Sequence, residues 1–479
     1  MQRTAVIYGL ALSTLVGVFL LAPRLLAPPK QPEPVPAPRS AAPITKLVYG
    51  DGVLEVTATL DRGHLFSPAS PDLAGGSLEP VWMDVAIKAA GMQNRAPLAA
   101  VLVIDRSGSM AGDKIDDARR AAERFVHGMA DGDMLSIVTY GSDVTVDLAF
   151  TTLDSATKSR ALSIVRRIEE GGGTNIDGGM MAAKSQLASA NTAGKVARVV
   201  LVSDGRPTEG DRRIATLTGH SQALRGQGVT VSTVGLGLDY NEDLMEQMAV
   251  DGGGRYHYMK TGAQMAQILD AELQHGRNVV ASNVKIHLPR GLAPGLTVAA
   301  APGQKDLGNS DKLVVDVGDL AAGEERHVLV KIDVQSAGDV GFAAPELIYN
   351  KAGQTAQSLV AQRADAFRLL PTTDLALLNS SRNDDVRVRV LQIEASLALT
   401  ASMNQWSQGD SAGARMNLMK AKKDVAEAAK RTGNAMLMRE AKNFDDVLNS
   451  VAASPAPASS AAGLDVVKAQ KARAFDLRR

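Results

Sequence analysis

Near-continuous apolar segments that alternate with helical patterns constrain this chain most. Between residues 97 and 277 the strand candidates include "LAAVLVID", "ARVVLVSDG" and "TVSTVGLG", and segments of helical periodicity such as "KIDDARRAAERFVHGM" separate most of them. Strands that are apolar along their whole length are typical of a parallel sheet covered by helices on both faces. We therefore predict a doubly wound, Rossmann-like α/β domain, in which ligands bind beyond the carboxyl ends of the strands.

Side chains that carry oxygen fall at these predicted strand ends. "VLVIDRSGSM" places Asp105, Ser107 and Ser109 two positions apart in a loop that contains glycine. "EGGGTNIDGGM" contributes Thr174 from a glycine-rich loop, and "VVLVSDGRP" contributes Asp204. Carboxylate and hydroxyl oxygens are the ligands that Mg²⁺ and related ions prefer. The five residues therefore predict a divalent-cation site at one edge of the sheet.

Each of these motifs has a simpler interpretation when it is taken alone. The first could be an Asx turn or a helix cap, the second a flexible linker, and the third an ordinary turn. Their joint occurrence, in order and at strand ends, favours the metal site. Acidic residues on loops and first helical turns are usually solvated or stabilise the helix dipole. Asp113, Asp116, Asp177 and Glu209 are therefore not assigned to the metal.

The order of "DRSGSM", "GGTNI" and "SDG" resembles the complete metal-ion-dependent adhesion site of the von Willebrand factor type A family. The resemblance implies that Ser107, Ser109 and Thr174 contact the ion directly. It implies that Asp105 and Asp204 act largely through water molecules. It further implies that the ion is Mg²⁺, with Mn²⁺ or Ca²⁺ as alternatives, and that an open coordination position accepts a Glu or Asp of a protein partner.

The regions that flank the α/β segment have different patterns. Residues 44–96 and 278–370 contain short strands of period two, and two or three such strands need partners elsewhere to close a core. We predict that they form one β-sandwich into which the α/β domain, residues 97–277, is inserted. Residues 371–452 are predicted to be a helical domain, and residues 453–479 a flexible tail.

The N-terminal segment bears on localisation. Residues 1–22 carry one early Arg3, followed by an uncharged, mostly apolar stretch from Thr4 to Ala22, which is about long enough to cross a bilayer as a helix. A Pro-rich linker, residues 23–43, follows. We predict a single-pass anchor in a bacterial cell membrane, with the main domains on the extracytoplasmic side, periplasmic or extracellular. The alternative is a signal peptide that is cleaved, so that the protein is secreted.

Composition and missing motifs narrow the function. Lys and Arg together number 52, as do Asp and Glu, so no basic excess points to nucleic acid. The chain has no cysteine, which excludes disulfides and thiolate sites. It has no G-x-S-x-G, Walker or H-E-x-x-H sequence, and we predict that it is not an enzyme.

These observations favour a metal-dependent protein-binding module of the cell envelope, acting in adhesion or assembly. One alternative is a structural or assembly subunit whose metal site mainly stabilises the fold. Another is a metal-dependent hydrolase, but no obvious general base accompanies the predicted site.

Overall fold

The computed structural model describes residues 42–67, 78–91, 95–352, 354, 357–360, 366–453 and 458–478. The predicted anchor and nearly all of the Pro-rich linker lie outside these ranges. Among the helices that the model describes, none is both long and apolar enough to cross a membrane.

The strands and helices follow each other in three regions of the chain. The strands are β1 Lys46–Gly50, β2 Leu54–Leu60, β3 His64–Phe66, β4 Leu78–Ala89, β5 Leu98–Asp105, β6 Met134–Tyr140, β7 Val144–Thr152, β8 Val196–Ser203, β9 Thr230–Leu236, β10 Gly253–Met259, β11 Val279–Pro289, β12 Gly291–Ala293, β13 Leu296–Ala300, β14 Lys312–Ala321, β15 Glu325–Val334, β16 Val340–Ala343, β17 Glu346–Lys351, β18 Gln357–Val360 and β19 Ala366–Thr372. The helices are α1 Asp113–Gly128, α2 Ser155–Val165, α3 Ile176–Ser189, α4 Ile214–Gly226, α5 Glu242–Asp251, α6 Met265–Arg277, α7 Leu375–Ser380, α8 Asp384–Ser407, α9 Ser411–Thr432, α10 Ala435–Ala453 and α11 Ala461–Leu477.

The α/β region is built on a six-stranded sheet in the order β10-β9-β8-β5-β6-β7. All neighbouring strands are parallel except β6 and β7, which are antiparallel. Every residue of β5 and of β9 is buried. Alternate residues of β5 belong to different apolar clusters, Leu102 to one and Val103 to the other. The apolar strands thus pack against helices on both faces, as the sequence predicted.

The strands before and after the α/β region pair with each other. β4 lies antiparallel to β15, with Asp84 opposite Leu329, inside a sheet of order β1-β2-β4-β15-β13-β12. A second sheet, β14-β11-β17-β18, and a third, β16-β19-β3, complete the β region, and their apolar faces share one core cluster. The predicted fold class, a Rossmann-like domain inserted in a β-sandwich and followed by helices, is confirmed. The residue limits of the domains stay predictions.

The chain enters and leaves the α/β sheet on the same side. β5 starts at Leu98, its amino end, soon after β4, and β11 starts at Val279 directly after α6. In a parallel sheet the return helices run from the carboxyl edge back to the amino edge. The sandwich is therefore joined to the amino edge of the sheet, and the carboxyl edge is the opposite one.

The C-terminal helices form a cluster of their own that includes Leu399, Leu418 and Phe444. Helix α8 also packs against the sandwich, where Val386 contributes to a small cluster with Trp82. These contacts fix the helical region to the sandwich.

The prediction of a flexible C-terminal tail is wrong for residues 461–477, which form α11. Phe475 packs edge-to-face on Tyr256, with ring centroids 6.2 Å apart. Lys468 and Lys471 are each 1% exposed and pair with acidic side chains in the first turn of α5. The apolar pattern of this segment is weak because part of its stabilisation comes from ion pairs with a distant helix.

Candidate metal centre

The first segment of the candidate site is the loop after β5. Asp105 is the last residue of that strand, and its Oδ1 accepts a hydrogen bond from the Ser107 amide at 2.9 Å. A short 3₁₀ turn, Gly108–Met110, follows and is anchored by the fully buried Met110. As a result the Ser107 and Ser109 hydroxyl oxygens lie 3.0 Å apart.

The second segment comes from β8, the parallel neighbour of β5. Asp204 follows this strand, is fully buried, and its Oδ1 accepts a hydrogen bond from Ser109 Oγ at 2.7 Å. In the opposite direction, Ser203 Oγ donates to Asp105 Oδ2 at 2.7 Å. Each strand end therefore supplies a hydroxyl to the carboxylate of the other, which fixes both carboxylates.

The third segment is the glycine-rich loop between α2 and α3. The Gly108 amide donates to the Gly172 carbonyl at 3.0 Å, which ties this loop to the first one. A Cβ atom at Gly205 would lie 3.2 Å from Thr174 Oγ1 and 3.5 Å from Ser109 Oγ. Both hydroxyls thus face the same space beside Gly205, where a larger residue would crowd them.

Backbone contacts hold Thr174 in this position. Its amide donates to Thr208 Oγ1 at 2.8 Å, and the Thr208 amide donates back to its carbonyl at 3.0 Å. The next residue, Asn175, caps α3 by accepting from the Gly178 amide at 2.9 Å. Such capping satisfies a free donor of the first helical turn and leaves the threonine hydroxyl available to the site.

Electrostatics distinguish the two carboxylates from ordinary surface acids. Burial raises the pKa of Asp105 to about 6, although hydrogen bonds from Ser107 and Ser203 oppose this effect. Desolvation disfavours the charged form of a carboxyl group unless a cation compensates it. Asp204 has such a cation, because Lys114 Nζ lies 2.5 Å from its Oδ2.

The structure therefore brings all five predicted residues to one place. Two carboxylates and three hydroxyls form a set of hard oxygen donors, which fits Mg²⁺, Mn²⁺ or Ca²⁺. Within the described ranges, no group of three or more His, Asp or Glu side chains is placed to hold a metal ion. The candidate donor set contains only two acidic side chains, and its other three members are hydroxyls.

Three of the four acids that the sequence left unassigned have other partners. Asp116 pairs with Arg119 on the same helix. Asp177 accepts from the His220 ring nitrogen at 2.7 Å. Glu209 accepts from Ser142 Oγ at 2.6 Å, at the rim of the candidate site.

Sequence reasoning missed Ser203 and Lys114. Nothing in "VVLVSDG" marks the serine, since its role depends on the parallel pairing of β8 with β5. The lysine did leave a signal, because it lies in the first turn of α1, where the helix dipole disfavours a cation.

Comparison with known proteins agrees with this geometry. Residues 100–271 match the family model described as the von Willebrand factor type A domain. This segment is a von Willebrand factor type A domain. It contains the loops of the candidate metal centre and all of the α/β sheet apart from the first two residues of β5.

Relatives in sequence share about a quarter of their aligned residues with this chain. Uncharacterized protein YfbK of Escherichia coli is 26% identical over 237 residues, 48% of this chain and 41% of YfbK. Uncharacterized protein sll0103 of Synechocystis is 26% identical over 258 residues, 52% of this chain and 60% of that protein. Human inter-alpha-trypsin inhibitor heavy chain H4 is 26% identical over 201 residues, 40% of this chain and 21% of the heavy chain. The chain thus aligns with less than two thirds of each of these relatives.

Two solved structures share the fold beyond the von Willebrand factor type A domain. A von Willebrand factor type A protein from Catenulispora acidiphila superposes with a TM-score of 0.66 at 17% identity, over 86% of this chain and 93% of its own. The ArnB paralog VWA2 from Sulfolobus acidocaldarius gives a TM-score of 0.56 at 17% identity, over 89% of this chain and 99% of its own. At this identity the likeness concerns the fold alone.

Proposed function

We propose that the carboxyl edge of the von Willebrand factor type A domain is a metal-dependent protein-binding site that serves adhesion or assembly. The observation that carries the proposal is the convergence of five oxygen-bearing side chains from three loops on one point. They are Asp105, Ser107, Ser109, Thr174 and Asp204.

The donor set also indicates how a partner would bind. The three hydroxyl donors are neutral, and Lys114 offsets one of the two carboxylates. When bound, a Mg²⁺, Mn²⁺ or Ca²⁺ ion supplies positive charge and a coordination position to a Glu or Asp of the partner protein. The cross-strand hydrogen bonds of Ser203 and Ser109 keep the carboxylates oriented, so the site is preorganised.

The same proposal places the site on a binding module and assigns no catalytic residue. The carboxyl edge lies opposite the junction with the sandwich, so the sandwich does not cover the site. The apolar stretch Thr4–Ala22 supports a setting in the cell envelope, with the module held at a membrane.

Titration calorimetry with MgCl₂ and MnCl₂ on the full chain tests the metal site. We expect one binding event for the wild type and none for Ser109→Ala, which removes a donor without adding charge. Ser163→Ala is the matched control, since this hydroxyl lies on α2 and donates to a backbone carbonyl of its own helix. An absence of binding heat and of any melting shift in the wild type would refute the proposal.

Capture experiments separate a binding module from a site that only stabilises the fold. The wild type should retain a membrane-extract protein in Mg²⁺ and release it on chelation, whereas Ser109→Ala should retain none under either condition. If the ion raises the melting temperature but equal amounts are captured with and without it, the site has a structural role only.

A further inference from the structure

Lys114 bears directly on the charge of the candidate metal centre. Its Nζ lies 2.5 Å from Asp204 Oδ2, while the other oxygen of that carboxylate accepts from Ser109. The Lys114 side chain is 31% exposed, and Asp204 is fully buried. A fixed ammonium group therefore contacts one of the only two acidic donors of the site.

The position of this lysine in its helix is unfavourable without that contact. It is the second residue of α1, where the positive end of the helix dipole repels a cation. Its neighbour Asp113 is of the kind that this position favours. The carboxylate of Asp204 compensates the repulsion, so the contact is an ion pair across two loops and not a chance surface contact.

The stem of Lys114 is also confined from the other side. Gly237, which follows β9 and has a φ of +78°, would place a Cβ 3.8 Å from Nζ and 3.9 Å from Cε of the lysine. Glycine here permits the left-handed backbone, and the lysine end lies within van der Waals distance of this turn. Three elements, α1 and the loops after β8 and β9, thus direct the ammonium group toward the donor set.

We propose that Lys114 is a built-in counter-charge that sets the cation affinity of the site. With Asp105 and Asp204 ionised, the donor set carries two negative charges. The positive charge of the lysine reduces this to a net charge of minus one. This inference rests on the proposed function, because it concerns the same site. It predicts that the natural site binds a divalent cation more weakly than its oxygen donors alone would.

Neutral replacements of Lys114 test this proposal on the full chain, with Mg²⁺ alone as the probe. We expect Lys114→Met to lower the Kd for Mg²⁺ about tenfold or more, because a like charge next to the ion is removed from a partly screened site. Lys114→Gln, which can still donate a hydrogen bond to Asp204, should shift the Kd in the same direction and serves if the methionine variant does not fold. The matched control is Lys158→Met, whose ammonium pairs with the exposed Asp131 before β6 and should leave the Kd unchanged.

Thermal unfolding distinguishes charge from a structural role. Without metal, Lys114→Met should melt below the wild type, since it leaves the buried Asp204 without its cation. Saturating Mg²⁺ should then raise its melting temperature more than that of the wild type. If the lysine had only a structural role, its replacement would lower the melting temperature by the same amount with and without Mg²⁺.

The outcomes separate the two proposals. Tighter Mg²⁺ binding by the neutral variants than by the wild type supports the counter-charge. Equal or weaker binding by both variants, beside a wild type that binds, overturns the counter-charge and leaves the metal site intact. If neither the wild type nor either variant binds Mg²⁺, both proposals fall.

Discussion

Two groups of buried charge lie at opposite edges of the same six-stranded sheet. At the carboxyl edge, two carboxylates are surrounded by hydroxyls and one partly exposed lysine. At the amino edge, where the sandwich joins, the buried carboxylates of Glu272 and Asp319 each contact an arginine. The Arg198–Glu272 pair, 2.6 Å apart and almost without solvent exposure, is typical of this second group.

At the amino edge, several side chains contact the carboxylate of Glu272. Besides Arg198, this carboxylate accepts from Ser232 Oγ at 2.7 Å and contacts the His257 ring nitrogen at 2.9 Å. Burial opposes ionisation, but Arg198, His257 and Ser232 outweigh it and hold the pKa of Glu272 well below its usual value. The carboxylate is therefore charged and paired over the whole physiological pH range.

A second pairing joins the von Willebrand factor type A domain to the sandwich. Arg225, at the end of α4, donates through two nitrogens to Asp316 of β14, each at 2.7 Å. It also pairs with the neighbouring Asp319 at 3.2 Å. Burial alone would raise the pKa of both carboxyls. The positive charge of Arg225 has the larger effect, and both pKa values are lower than usual. These ion pairs link the two layers.

The difference between the edges indicates their roles. Arginine supplies fixed, bidentate compensation, and the amino edge uses it to connect domains. The carboxyl edge leaves Asp105 in a buried site without arginine, so its pKa rises to about 6. Perturbation of this kind marks candidate functional sites, because the missing positive charge can come from a ligand.

The largest expected effect comes from breaking the amino edge. Glu272→Ala leaves the buried Arg198 without a carboxylate partner, with only the His275 ring nitrogen and the backbone carbonyl of residue 272 in contact. We expect the free energy of unfolding to fall by about 3–5 kcal/mol. The control is Glu123→Ala, which breaks an exposed pair with Arg166 and should cost less than about 1 kcal/mol. Denaturant unfolding measures both, and equal losses would remove the contrast between this cluster and a surface pair.

The pH dependence of the metal-free protein tests the carboxyl edge. The pKa of Asp105 is raised, so its contribution to stability is present below about pH 4 and is lost as pH rises through 6. From the ordinary 3.8 to about 6, the loss relative to Asp105→Asn is about 3 kcal/mol. In the presence of chelator, the free energy of unfolding of the wild type relative to Asp105→Asn should therefore fall as the pH rises from about 4 to about 7.

The slope of this difference against pH decides the test. Its absolute size does not, because the asparagine presents an amide to Ser107 or Ser203 and so lowers the stability by an amount that does not change with pH. Parallel curves for wild type and variant would mean that burial of Asp105 is already fully offset in the metal-free protein. The two edges would then not differ in the way proposed here.

The third effect depends on the ion. Thr174→Val keeps the shape of the side chain and removes its hydroxyl, so we expect it to abolish most of the stabilisation by Mg²⁺. For the wild type that gain is about 2.7 kcal/mol at a hundredfold excess over Kd. Thr432→Val on α9 removes a hydroxyl that donates to its own helix and accepts from the Asn434 amide, and it should keep the full gain. A full gain in Thr174→Val as well would exclude this threonine from the site.

Sequence patterns predicted the carboxyl edge better than the amino edge. The site residues follow apolar strands directly, so strand periodicity and parallel pairing are enough to bring Asp105 and Asp204 together. The partners of Glu272 come from β8, β9 and β10, and no local spacing connects them. Helix α11 escaped prediction for the same reason: the partners of its buried lysines lie more than two hundred residues earlier.

The smallest expected effect concerns the rim of the site. Ser142 Oγ accepts from the Gly173 amide at 2.8 Å and donates to Glu209 at 2.6 Å, so it supports the loop that carries Thr174 without lying among the proposed donors. These hydrogen bonds are exposed, and Ser142→Ala should cost about 0.5–1 kcal/mol of unfolding free energy. It should raise the Kd for Mg²⁺ only a few-fold, measured by the same calorimetry. A loss of binding as complete as that of Thr174→Val would mean that the proposed donor set is too small and that the rim belongs to the site.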